Sequence, residues 1–117
     1  MKTTQLLIGL FTIILSIACS HNQSDPEYSI EAIVMSKNAD CGINAIKITK
    51  GLSAVEAITN SFSNDSIYIA KNLPEELQSA GLVISLEVRD IEDSELSACT
   101  HLGIAYPWLF VLKAAEK

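Results

Sequence analysis

Residues 105–112, Ala-Tyr-Pro-Trp-Leu-Phe-Val-Leu, carry no charge, and this run limits the folds open to the chain more than any other stretch. As a strand its side chains alternate between two faces. Tyr106, Trp108, Phe110 and Leu112 fall on one, and Ala105, Pro107, Leu109 and Val111 on the other. Both faces are apolar, so the strand is either covered on both sides or presents one side as a contact surface. Pro107 has no amide hydrogen to give to a ladder, which sets it at an edge or a bulge. Just upstream stand Cys99 and His101. Residues 99–112 therefore gather a cysteine, the one histidine beyond the N-terminal tail and the one tryptophan of the chain.

The chain upstream supplies strands to cover that run. In residues 28–35, Tyr28, Ile30, Ala32 and Val34 alternate with Ser29, Glu31, Ile33 and Met35, the period of a half-buried strand. Lys-Asn-Ala-Asp-Cys-Gly at 37–42 is turn chemistry. Residues 43–50 resume the extended pattern with Ile46 and Ile48 inward, which predicts a hairpin with Cys41 at its tip. After Gly51, Ser53-Ala54-Val55-Glu56 has the form of a capping box, and Leu52, Val55, Ile58 and Phe62 stand at roughly helical spacing. A short helix is expected over 54–60. Residues 60–66 read as a surface loop and 67–70 as a short third strand.

Leu73-Pro74-Glu75-Glu76-Leu77-Gln78-Ser79-Ala80-Gly81 carries proline where a first helical turn tolerates it, acids where the helix dipole favours them, and glycine just past the end. It predicts a two-turn helix resting Leu73, Leu77 and Ala80 on a core. Residues 82–89 then alternate most clearly of all, with Leu82, Ile84, Leu86 and Val88 inward. The acidic segment 90–95 lacks the glycine that a calcium loop needs at its sharp turn, so a solvated loop is expected and no metal site.

The N-terminus has the three-part layout of a secretory signal: a lysine in residues 1–5, an apolar core at 6–17, then Ala18 and Cys19. The core is too short to span a bilayer, which needs about 20 apolar residues. Leu15-Ser16-Ile17-Ala18-Cys19 resembles the lipobox of bacterial lipoproteins; the alternative is an ordinary signal cut near Ala18. The resemblance implies a signal peptide at 1–18, lipidation of Cys19, and membrane attachment to which each buried methylene adds about 0.8 kcal/mol. Ser20 is not a retention aspartate, so the resemblance also implies the outer membrane. Residues 19–27 are polar throughout and read as a flexible tether, leaving 28–117 as one domain.

Once Cys19 is lipidated, Cys41 and Cys99 are an even pair in a disulfide-permissive compartment, and a bridge between them is expected. A small exported domain benefits from such a staple. Two cysteines this far apart with one histidine do not make zinc-ligand spacing. Loss of the signal removes Lys2 and leaves 14 acids against 7 bases, a net charge of −7. That balance excludes nucleic acid, whose phosphates require clustered Lys and Arg.

The element order, three strands, a short helix, then two strands, resembles the OB-fold, a five-stranded Greek-key barrel. The resemblance implies a mainly β domain with a short helix between strands 3 and 4, and it places Cys41 and Cys99 on the two loops that flank the usual binding face. The alternative is a small antiparallel β-sandwich with one helix. Fold alone does not fix function. No nucleophile elbow and no phosphate-cradling glycine loop is present, and His101 is the sole imidazole in the domain, so no enzyme and no cofactor are expected. The expectation is a lipid-anchored envelope module that binds a protein, peptide or glycan through a face containing His101, Tyr106 and Trp108. Two other roles are open. One is inhibition of a cationic envelope hydrolase such as lysozyme, with 90–95 as the plug; the other is a structural part of an envelope complex.

Overall fold

In the computed structural model, which describes residues 29–100 and 103–117, five strands close into a barrel. The expected signal, Cys19, the tether, Tyr28 and His101 lie outside the described residues. The strands are β1 (Ile30–Lys37), β2 (Asn44–Lys50), β3 (Ile67–Lys71), β4 (Val83–Arg89) and β5 (Trp108–Glu116), with one α-helix, α1 (Leu52–Thr59). Their order around the barrel is β1-β2-β3-β5-β4, and β4 returns to pair with β1. Every pairing is antiparallel except β3 with β5, which run parallel over three residue pairs, Ile69–Trp108, Ala70–Leu109 and Lys71–Phe110. This is the OB-like barrel expected from the element order.

Alternation builds the interior. Ile30, Ala32 and Val34 from β1, Ile46 and Ile48 from β2, Tyr68 and Ala70 from β3, Ile84, Leu86 and Val88 from β4, and Leu109 and Val111 from β5 make one buried cluster. Each side chain removes apolar surface from water, at about 25 cal/mol per Å². In the last strand the inward face is thus Leu109 and Val111, while Trp108, Phe110 and Leu112 point outward. That strand starts at Trp108, later than its apolar run. Pro107 stands just before it, and its carbonyl accepts the Ile69 amide at 2.8 Å. The ring nitrogen has nothing to donate in return, so the ladder stops there.

The helix expected over 54–60 forms, at Leu52–Thr59, without its expected cap, and the second helical segment is shorter than expected. The α-helix lies between β2 and β3 and begins at Leu52, directly after Gly51, whose φ of 85° turns the chain out of β2. A Cβ on Gly51 would come within 2.9 Å of the Ser29 carbonyl oxygen, an approach that glycine allows. With the helix entered this way, no side chain caps it, and the Ser53–Glu56 box does not form. Val55 is fully buried in the core cluster, and Leu52 packs against it.

Between β3 and β4 the expected two-turn helix is a single 3-10 turn, Glu75–Leu77. Pro74 is extended there, with ψ 142°, so winding begins only after it. Leu73, before the turn, and Leu77, its last residue, both reach the core as expected, while Ala80 is exposed. Asn44 Nδ2 ties the end of the turn to β1, donating to the Gln78 carbonyl at 2.9 Å and to the Met35 carbonyl at 2.8 Å. Gln78 Nε2 donates to the Leu73 carbonyl at 2.9 Å. Gly81, at φ 97°, ends the segment as expected, and its amide donates to the Val34 carbonyl at 2.7 Å, which lays β4 beside β1.

Candidate binding groove

Two loops meet above the outer face of β2, β3 and β5. In the β1–β2 loop, Asn38 Oδ1 accepts the amides of Asp40 at 2.8 Å and Cys41 at 3.1 Å, and the Asn38 carbonyl accepts the Gly42 amide at 2.7 Å. This tight local wrap holds Cys41 outward, as turn-forming Asn and left-handed Gly42 allow. Cys41 is bonded to Cys99 of the β4–β5 loop, with their Cα atoms 4.3 Å apart across a sequence separation of 58. Beside the disulfide, Asp40 accepts the Thr100 hydroxyl at 2.5 Å and the Gly103 amide at 2.9 Å. The Asp40 carbonyl accepts the Thr100 amide at 3.0 Å.

The β4–β5 loop is held at its other end by Arg89. Its guanidinium forks onto Glu95, at 2.9 and 2.5 Å, and lies over the Phe110 ring at 3.8 Å from the centroid. Glu95 also accepts the Glu92 amide at 2.8 Å, closing the 3-10 turn Asp93–Glu95. The hydrogen bonds from Arg89, helped by that amide and by the charges of Arg89 and Lys71, hold the Glu95 carboxyl down to about 2 against the opposing effect of desolvation. The same bond raises Arg89 above its ordinary value. Further along, Lys71 Nζ donates to Ser97 Oγ at 2.9 Å. The acidic segment expected to be a solvated loop is thus partly folded: Asp90, Glu92 and Asp93 are exposed, while Glu95 is engaged.

Beneath the loops lies a second apolar layer, outside the barrel. Ala45, Ile67 and Ile69 are buried there, and Met35, Ile43, Tyr106 and Trp108 pack against them half-buried. Tyr106 and Trp108 therefore belong neither to the barrel interior nor to open solvent. Both wall a cavity of about 490 Å³, together with Ile69, Leu96 and Ile104, and Asn38, Asp40 and Thr100 supply its polar rim. Mostly apolar walls with a few polar groups suit holding a ligand. Among the described residues no cluster of His, Cys, Asp and Glu is placed to hold a metal ion.

Of the residues singled out in the sequence, Cys41 and Cys99 are joined, and Tyr106 and Trp108 share one cavity wall. His101 and Cys19 lie outside the described residues. Asp40, Ile69, Leu96 and Ile104 were not singled out. Ile69 had a signal, since Ile67-Tyr68-Ile69-Ala70 is apolar on both faces and so implies cover on both. Asp40 had none, because its partners are 60 and 63 residues away.

A small β-barrel of OB-like strand order, with one stapled, aromatic-walled groove on its outer face, is the class that fold and site define. No protein-family model, no curated protein and no solved structure matches the chain.

Proposed function

We propose that this protein is a membrane-anchored lipoprotein of the cell envelope that acts as a non-enzymatic binding module, holding its ligand in the groove between the β1–β2 and β4–β5 loops. The anchor rests on the signal layout and on Cys19 in Leu15-Ser16-Ile17-Ala18-Cys19, with residues 19–27 as tether. Outer-membrane placement rests on Ser20. The observation that carries the binding role is the cavity of about 490 Å³ walled by half-buried Tyr106 and Trp108. Its two flanking loops are locked together by the Cys41–Cys99 bond and by Asp40. A preformed site spends less of its binding energy on ordering loops.

Trp108 is the chain's one tryptophan, so its emission reports on the groove alone. Full-length protein in detergent is to be titrated separately with peptides free of tryptophan, soluble peptidoglycan fragments and mixed lipid–detergent micelles. The expected result is an emission shift with one of these, lost in Tyr106→Ala at unchanged far-ultraviolet dichroism. No shift with any of them sinks the binding role. The anchor has its own test: Cys19→Ser is expected to move the protein from the membrane to the soluble fraction, and retention on the membrane would overturn lipidation at that residue.

A further inference from the structure

Between Gly103 and Tyr106 the chain belongs to no helix or strand, although β5 starts two residues later. The Gly103 amide is taken by Asp40. The backbone amides and carbonyls of Ile104, Ala105 and Tyr106, by contrast, make no hydrogen bond to any described residue. The Tyr106 hydroxyl and the Trp108 indole N–H have no such partner either. An open row of backbone donors and acceptors beside a sheet is a template for another strand.

Cavities border this row, two of them with mostly apolar walls. Cavities of about 490, 500 and 200 Å³ share Ile104 and Tyr106 as common walls, so they join into one trough. Along it stand Leu96, Ile104 and Phe62, respectively 47, 65 and 75% exposed. An elongated trough with open main-chain groups along it suits a chain-like occupant better than a compact one. Charge narrows the choice. Among the described residues lining the three cavities there is no Lys or Arg, while Asp65 lies at the Phe62 end, and the whole chain carries a net charge of −6. An acidic occupant would be repelled.

We infer that the trough is a docking site for an extended peptide segment, neutral or basic, which pairs with the backbone of residues 104–106 and sinks one large apolar side chain between Leu96 and Trp108. This rests on the groove being a binding site and names its occupant. The open backbone gives affinity without sequence preference, and the cavity beside Trp108 selects the side chain.

The test uses full-length protein in detergent, panned against a displayed library of random dodecapeptides, with soluble peptidoglycan fragments as the second probe. Enriched peptides are expected to share a large apolar residue and to carry more Lys and Arg than Asp and Glu. Binding of the synthesised peptides is expected to shift Trp108 emission and to slow amide exchange at residues 104–106 at least tenfold. Ile104→Asp, at an exposed position, is expected to weaken binding at least tenfold with an unchanged melting temperature. Peptides that bind while exchange at 104–106 stays fast would overturn the pairing. Peptidoglycan fragments that shift Trp108 emission when no peptide does would overturn the peptide occupant and leave the groove standing as a binding site. If neither probe shifts the emission, both the occupant and the groove fall.

Discussion

Arg89 is the residue on which the shape of the β4–β5 loop turns, because one guanidinium meets Glu95 in a bidentate pair, lies over Phe110 and approaches Glu92 at 3.8 Å. An ion pair at a surface ordinarily contributes little. Here the fork geometry and the aromatic face beneath it fix the guanidinium in place. Since the folded protein holds the Glu95 carboxyl at about 2, below its unfolded value, the stabilisation this group gives is complete above the unfolded value. It drains away as pH falls from about 4 toward 2. Urea unfolding of the protein and of Glu95→Gln is therefore expected to differ at neutral pH, with the gap closing across that acid range. A gap that stays constant down to pH 2 would remove Glu95 from the account.

At the scale of elements, the last strand resolves the ambiguity of its own sequence. Its two apolar faces are covered by different means, Leu109 and Val111 by the barrel core, Trp108 by the second layer and Phe110 by Arg89, while Leu112 is left 48% exposed. Leu109→Ala is expected to cost about 2–5 kcal/mol in denaturant unfolding. Leu112→Ala is expected to cost less than about 1 kcal/mol, and equal costs would contradict the assignment of faces. The double replacement Cys41→Ser and Cys99→Ser is expected to lower stability by about 4 kcal/mol in the chain-entropy account, measured the same way. These strands were legible in the sequence because period-two alternation is a local signal, and β4 with Ile84, Leu86 and Val88 is its clearest case. The helices were less so. Gly51 enters its helix close against the Ser29 carbonyl, and the turn at 75–77 is followed by Gln78, which Asn44 reaches from 34 residues away; neither contact is a local signal. The groove was legible in its aromatics and its cysteines. Its polar rim was not, since Asp40 finds its partners only after the barrel has closed.

For the molecule as a whole, the acidic surface and the β4–β5 loop also bear on the lysozyme-inhibitor alternative. With Glu95 held by Arg89, purified protein in excess is expected to leave lysozyme activity unchanged at both low and high salt; inhibition that vanishes with salt would restore that role. The parallel seam between β3 and β5 has a different consequence, one of timing. Three pairings join sequence neighbours: β1 with β2, β2 with β3 across α1, and β4 with β5. β1 must wait for β4, and β3 for β5, the last strand in the chain. Barrels dominated by such distant pairings fold in roughly milliseconds to seconds. A chain that emerges N-terminus first therefore holds an open, half-built sheet until its final residues arrive, and during that interval the strand edges stand exposed to any neighbouring chain.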